Sequence, residues 1–221
     1  MEETATGGAA ETELQELMEI EQDDERSSRA LMIVAGVAIA LTVVMAAIAG
    51  WALFGGGGDP GDDSVDAGFA RDMSTHHEQA VQMAGIVYRR TEDEAIRGLA
   101  YDILTTQQAQ IGMMGGWLGL WDLPAGSENP PMAWMGHEMT GPMPGMATDE
   151  EVASLETLPP ADMDREFLRL MIAHHKGATD MATYAAQNAE EDLVRTVARS
   201  MAETQSFEIT TMEQMLTERG G

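Results

Sequence analysis

The sequence predicts an all-α protein: a four-helix bundle made of two duplicated helical hairpins, preceded by one transmembrane helix. Three observations lead to this prediction. The pair His76-His77 returns 98 positions later as His174-His175 in matching surroundings. Around each pair, apolar residues recur at steps of three and four, as they do on the buried face of a helix. A separate run of 25 uncharged residues lies nearer the N-terminus.

The repeat extends beyond the histidines and needs no gap. It continues through the next predicted helix, as far as Leu118 in the first copy and Leu216 in the second. Roughly fifty residues are therefore duplicated, which indicates one structural unit used twice. Four apolar positions keep the same interval as the histidines: Phe69 and Phe167, Met73 and Met171, Ala80 and Ala178, and Met83 and Met181.

The N-terminal quarter of the chain predicts a cytoplasmic tail and a membrane anchor. Residues 1-29 are polar and acidic and are expected to be mostly disordered. Residues 30-54 are uncharged, and a helix of that length spans the roughly 30 Å hydrocarbon core of a bilayer. Arg26 and Arg29 precede this run, so the positive-inside rule places the N-terminus in the cytoplasm. The following domain is predicted to be extracytoplasmic, on a single-pass anchor in the cell membrane.

The bundle domain is predicted at residues 64-218, after a Gly-rich linker at residues 55-63. Its two hairpins have short turns, so the helices within each hairpin are expected to be antiparallel. The first and third helices are expected to run in the same direction. The four helices are predicted at about residues 66-90, 91-118, 164-187 and 189-216.

Two capping boxes are predicted at the starts of the second helices. In a capping box, the first side chain accepts a hydrogen bond from the backbone N–H three residues later, and the side chain at that position returns one. Thr91 with Glu94 fits this pattern in the first hairpin, and Asn188 with Glu191 fits it in the second.

The crossover between the hairpins, residues 119-163, is rich in Gly, Pro and Met. Thr148 with Glu151 predicts one short helix there. Methionines crowd around a histidine upstream of it, and an exposed, flexible run of thioethers suits the capture of a soft metal. The alternative is a loop that only covers an apolar end of the bundle. The accessory metal candidates are His137, Met132, Met135, Met139, Met143 and Met146.

The two histidine pairs are the principal candidate site. Consecutive helical residues point about 100° apart, so one histidine of each pair faces the core while its neighbour lies over the next helix. Which of the two faces inward is left open. The duplicated motifs are expected to approach each other and form a nearly two-fold site. The metal candidates are His76, His77, His174, His175, Met73, Met171, Met83 and Met181, and the side chains expected around them are Gln107, Gln110, Gln205 and Glu208.

The types of donor favour copper over other metals. Imidazole with thioether suits copper, especially Cu(I), whereas zinc would leave the methionines unexplained. No histidine in the sequence has Glu three residues before it, so a di-iron bundle site and an HExxH zinc site are not supported. The absence of cysteine excludes thiolate sites and disulfides. A competing interpretation is that the methionines fill the core and the histidines are satisfied by hydrogen bonds.

The charge balance excludes nucleic acid as a partner. The chain has 12 Lys and Arg against 38 Asp and Glu, for a formal net charge of −26. Recognition of phosphates needs a basic patch, whereas this surface concentrates cations.

Two copies of F-x3-M-x2-HH-x2-A-x2-M-A, each followed by a helix with T-Q-x3-I-x2-M, resemble the bacterial domain-of-unknown-function 305 family over about residues 66-216. The resemblance implies a ferritin-like four-helix fold, an exported or membrane-anchored location and an association with copper. It also implies that the eight principal metal candidates are the residues that the family shares. Members often carry Glu in the second helix of each hairpin, and this chain departs from that pattern with Gln110 in the first copy.

The leading functional hypothesis is a membrane-anchored extracytoplasmic metal-binding protein that sequesters copper or passes it on. One alternative is a structural or interaction module without metal, and another is a copper-dependent oxidoreductase. The sequence identifies no catalytic group. It leaves the protein partner open.

Overall fold

The computed structural model describes residues 58–136 and 141–220. In these ranges the chain is all helical, with five α-helices, one 3-10 turn at Ala133–Met135 and no strand. None of the described helices is both long enough and apolar enough to cross a membrane. The α-helices are α1 (Val65–Arg90), α2 (Glu94–Leu120), α3 (Asp149–Ser154), α4 (Pro160–Asn188) and α5 (Asp192–Glu218).

Several sequence predictions lie outside the described residues. They are the cytoplasmic tail, the membrane anchor at residues 30-54 and most of the linker. His137 and Met139 of the crossover also lie outside.

The four long helices form a helical bundle from two hairpins. Helix α1 packs along α2, α4 packs along α5, and the hairpins meet through α1 and α4. At the end of the bundle where α1 ends, the core includes Met83 and Val87 of α1 with Phe167 and Met171 of α4. The predicted duplication of a helical hairpin is therefore the architecture that the structure shows.

The second hairpin is inverted relative to the first, so the predicted common direction of the first and third helices is wrong. Asp66, at the start of α1, accepts hydrogen bonds from the backbone of Glu190 and Glu191, just past the end of α4. Arg90, the last residue of α1, contacts the sulfur of Met163 in the first turn of α4 at 3.3 Å. Helices α1 and α4 are therefore antiparallel.

The crossover causes this inversion because it runs along the whole length of α1. Arg71 near the start of α1 donates to the carbonyl of Pro124, and Asp72 accepts from the indole N–H of Trp134. At the far end, Arg90 donates to the carbonyl of Leu158. Because the crossover runs the length of the bundle, α4 begins at the end where α1 ends.

The helix caps differ from prediction in both hairpins. Helix α2 is capped by Asp93, whose carboxylate accepts from the N–H groups of Ala95 and Ile96, so the predicted box of Thr91 and Glu94 is wrong. Asp93 lies next to the helix start and offers a charged acceptor to the exposed N–H groups.

In the second hairpin, Asn188 donates to the carbonyl of Tyr184 and forms no box with Glu191. Asp66 of α1 supplies the carboxylate at this turn from the other hairpin. The capping box predicted for the crossover, Thr148 with Glu151, is confirmed at the start of α3.

Candidate metal centre

The four histidines of the two pairs lie at mid-helix and are fully buried. Their exposed fraction is 0% for each of His76, His77, His174 and His175. Each pair belongs to the apolar stripe of its helix, which includes Met73 on α1 and buries the imidazoles along with it. The structure thus places four ionisable rings where a charged ring would be poorly solvated.

The first histidine of each pair faces the other hairpin. The rings of His76 and His174 lie 3.8 Å apart between centroids, with 41° between their planes. His174 donates through Nε2 to the backbone carbonyl of His76 at 2.8 Å. His76 donates through Nε2 to the carbonyl of Pro144 in the crossover at 2.9 Å. The two motifs therefore meet across the bundle, as the repeat predicted.

The second histidine of each pair lies over the next helix of its own hairpin. His77 and Gln110 are joined by a hydrogen bond of 2.8 Å from Nε2 to Oε1. His175 and Glu208 are joined by one of 2.8 Å from Nε2 to Oε2. The prediction that Gln110 and Glu208 lie at the histidine level is therefore supported by direct contacts.

Gln107 and Gln205, predicted at the same level, do not bond to the histidines. Both side chains are buried, and the amide oxygen of each has no hydrogen-bond partner in the described ranges. Each lies three residues before a histidine partner, one turn along the same helix face. They form a second two-fold related pair of polar groups beside the histidines.

The hydrogen bonds fix the protonation of the rings. A carbonyl or carboxylate oxygen only accepts, so each Nε2 carries the proton that it donates and a neutral ring keeps its lone pair on Nδ1. We call these atoms the four unpaired Nδ1 nitrogens, because all four are buried and have no hydrogen-bond partner among the described residues. Every ring thus has one nitrogen held and the other available.

Burial keeps three of these rings neutral near pH 7. It lowers the pKa of His76 to about 4 and that of His77 to about 3, with the neighbouring histidines adding to the effect. The pKa of His174 is also lowered well below its usual value, chiefly by burial. A neutral imidazole is the form that ligates a metal.

The arrangement fits a metal better than it fits a purely apolar core. A buried acceptor without a partner costs about 1–3 kcal/mol, and metal-bound histidines typically donate their other N–H to a backbone carbonyl, a carboxylate or water. His76, His174 and His175 show this pattern, whereas His77 donates to the side-chain amide of Gln110. In the part of the chain that the structure describes, no three His, Asp or Glu side chains are placed to share one ion.

The four candidate methionines of the repeat are fully buried as well. Met83 and Met171 lie in one core cluster, which excludes Met73 and Met181. Because the hairpins are inverted, the repeat places Met73 and Met181 on the opposite side of the histidine level. The thioethers therefore lie in two pairs, one on each side of the histidines. The sequence had predicted that equivalent methionines of the two copies would lie at the same level of the bundle. Their role as ligands stays a prediction.

A segment of the crossover, residues 144-147, covers His76, and we call it the strap. Gln79 clamps it with two hydrogen bonds to the backbone of Ala147, at 2.9 Å and 2.7 Å. On α4, Gly177 lies so close beneath it that an added Cβ would overlap the carbonyl oxygen of Pro144. Sequence reasoning missed the strap, although one signal was present: the repeat places Gly177 where the first copy has Gln79.

The crossover methionines are less exposed than predicted. Met132 and Met143 are buried, and Met135 and Met146 are partly buried. Trp134 holds this region against the bundle through edge contacts with Phe69 and Tyr184, in addition to its hydrogen bond to Asp72. The prediction of an exposed run of thioethers is therefore wrong for these four residues, because the segment packs onto α1 along its length.

Comparison with known proteins identifies the family. Residues 66–216 match the family model described as Domain of unknown function (DUF305). The chain belongs to the DUF305 family. It is similar to a DUF305 protein from Streptomyces coelicolor, with 50% identity, a TM-score of 0.70, and coverage of 73% of this chain and 97% of that one. A DUF305 fragment from Deinococcus radiodurans is 36% identical with a TM-score of 0.60, covering 70% and 96%.

A third similar structure is CopM in its Cu(I)-bound form. It is 26% identical, has a TM-score of 0.57, and is covered over 98% of its length by 71% of this DUF305 chain. CopM is also known in Cu(II)-bound and Ag-bound forms. The chain matches none of the curated proteins.

Proposed function

We propose that this DUF305 protein binds copper through its paired histidines and sequesters it or passes it on. The observation that carries the proposal is the state of the four rings. Each Nε2 is held by an oxygen acceptor, and each Nδ1 is buried without a partner in the described ranges. A metal ion at these nitrogens would use lone pairs that the fold otherwise leaves unsatisfied.

The proposed ligands combine imidazole with thioether. His76 and His174 are in contact at the centre, and Met83 and Met171 share one core cluster. The repeat and the inverted hairpins place Met73 and Met181 on the opposite side of the histidines. Soft thioether sulfur favours Cu(I), and imidazole suits copper in general. Residues 55-221, which follow the proposed anchor, carry 28 Asp and Glu against 10 Lys and Arg, and this negative charge would raise the local concentration of cations at the surface.

The family supports the choice of metal. CopM, a structural neighbour at 25–29% identity in these forms, is known with Cu(I), Cu(II) and Ag bound. Two of these ions, Cu(I) and Ag, are soft, in keeping with a donor set that includes thioether. In the crossover, Met132, Met135, Met143 and Met146, with His137 and Met139, are proposed as an accessory site.

The location and full architecture are also part of the proposal. We infer a ferritin-like four-helix bundle outside the cytoplasm, joined to a single transmembrane helix at residues 30-54. The support is the length and apolar character of this run and the arginines that precede it. Membrane fractionation of cells expressing the full chain tests the anchor. Recovery in a soluble fraction, without detergent, would contradict it.

The binding experiment compares the full chain in detergent with variants in which single histidines become Gln. Anaerobic titration with Cu(I) against a chromophoric chelator measures affinity. We expect His76→Gln and His174→Gln each to weaken Cu(I) binding at least about tenfold, as loss of a ligand should. Gln108→Ala, at an exposed position of α2, is the control and should bind like wild type. Unchanged affinity in both histidine variants would overturn the histidine site.

A structural module without metal is the second candidate. It is favoured by the hydrogen bond that every Nε2 already makes, which can serve simply to satisfy a polar core. It predicts that Cu(I) leaves the melting temperature unchanged, whereas a specific ligand raises stability with its concentration over Kd.

A further inference from the structure

The two halves of the histidine site have the same geometry but different chemistry at one position. His77 donates to Gln110 and His175 donates to Glu208, both at 2.8 Å. The repeat relates the two histidines to each other and the two acceptors to each other. One half therefore ends in a neutral amide and the other in a carboxylate.

We propose that the half centred on His175 binds the first copper ion and that Glu208 is the positioning residue that makes it the tighter half. This inference rests on the proposed copper binding and specifies which half of the site is filled first. Glu208 acts through His175 and is not itself proposed as a ligand.

The physical reason is the effect of a carboxylate on the other ring nitrogen. A hydrogen bond from imidazole N–H to an anion is stronger than one to a neutral amide oxygen. It fixes the ring orientation and raises the basicity of the nitrogen that faces the metal. The Nδ1 of His175 would therefore bind a metal more strongly than the Nδ1 of His77, although both rings are equally buried.

A second carboxylate adds to the difference between the halves. Asp102 on α2 interacts electrostatically with Glu208, and its pKa is raised, first by burial and then by this charge. The repeat puts the uncharged Ser200 at the position that matches Asp102. The half with His175 thus has two carboxylates where the half with His77 has none at these positions.

Glu208 also connects the buried ring to the surface. Its side chain is 20% exposed, while that of His175 is 0% exposed. A cation attracted by Asp102 and Glu208 therefore reaches the edge of the site next to the histidine that we propose as its first ligand.

Lys176, which follows His175, does not reverse this bias. Its ammonium group is paired with Glu213 at 2.8 Å, and both side chains are more than half exposed. Solvent screens such a pair, so its effect on the buried ring is small.

The test exchanges the two acceptors. The full chain in detergent is titrated with Cu(I) against a chromophoric chelator, with Glu208→Gln, Gln110→Glu and the double exchange compared with wild type. We expect Glu208→Gln to weaken the first ion about 10- to 100-fold, the usual effect of losing such a partner. Glu213→Gln is the control, because Glu213 lies on the same helix and its side chain bonds only to Lys176 in the described contacts.

The decisive readout is which histidine carries the first ion. When made in the wild-type background, His175→Gln should weaken binding of the first ion at least about tenfold more than His77→Gln does. When the same variants are made in the double exchange, this order should reverse. A purely structural role for Glu208 would lower the melting temperature without reversing the order. Equal effects of the two histidine variants, or an order that the exchange leaves unchanged, would overturn the inference while copper binding stands. A wild type that binds no Cu(I) would overturn the proposed function as well.

Discussion

At the scale of single residues, the decisive feature is which nitrogen of each imidazole makes a hydrogen bond. The sequence predicts two histidine pairs and, by counting back from a short turn, the residues Gln110 and Glu208 opposite them. It cannot predict that every ring donates through Nε2, because one acceptor is the carbonyl of Pro144 in a distant loop. The same count places Gln107 at the level of the histidines, whereas Gln107 lies one helical turn before Gln110, the residue that bonds to His77. A turn of helix is within the error of such counting.

The buried neutral histidines should make the apoprotein sensitive to mild acid. The pKa values of His76, His77 and His174 are lower in the folded state than in the unfolded chain, so the unfolded chain binds more protons below pH 6.5. Stability is therefore fully present above about pH 6.5 and falls as the pH approaches the folded-state values. Between pH 7.5 and 5.5 we expect a loss of about 1.4 kcal/mol for each such ring.

Chemical denaturation of the metal-free full chain at the two pH values measures this loss. His174→Gln, which removes one titrating ring, should reduce the pH-dependent loss by about 1.4 kcal/mol. A free energy of unfolding that does not change between pH 7.5 and 5.5 would show that the rings are not held neutral.

At the scale of elements, the strap decides how the site is covered. Gln79 holds its backbone from α1, and Gly177 allows it to touch α4. The two positions that the repeat makes equivalent carry different residues, yet both contact the strap. The sequence predicted the helices of both hairpins closely, since their apolar steps are regular. It missed the packing of the crossover because Gly- and Pro-rich segments have no periodic pattern to interpret.

Substituting Gly177 should destabilise the protein. The new Cβ of Gly177→Ala would overlap the carbonyl oxygen of Pro144, and a backbone oxygen can move only with the strap. We expect a loss of about 1–3 kcal/mol, the range for inserting a group into a packed site. Thermal or chemical unfolding of the metal-free chain measures it.

Gly116→Ala is the matched control. Gly116 lies inside α2, where an added Cβ would meet nothing within 4 Å, and Ala in a helix is favoured over Gly by about 0.5–1 kcal/mol. We expect it to be neutral or stabilising. Equal effects of the two substitutions would mean that the strap does not pack against α4.

At the scale of the whole molecule, the repeat predicts two hairpins but not their relative direction. A duplicated sequence folds into the same unit whichever way the second copy points. The length of the crossover, residues 119-163, was the available signal, because a segment that long can traverse the bundle. The histidines meet although the predicted direction of α4 was wrong. Each pair lies near the middle of its helix, and reversing a helix leaves its midpoint at the same level. The methionines, away from the midpoint, were misplaced for the same reason.

We propose that these histidines hold copper together with thioethers, and X-ray absorption at the copper edge of the Cu(I)-loaded full chain identifies the atoms bound to the metal. We expect mixed nitrogen and sulfur scattering, with imidazole features that weaken in His76→Gln and His174→Gln. A spectrum with only oxygen and nitrogen neighbours, or one identical in wild type and both variants, would contradict it.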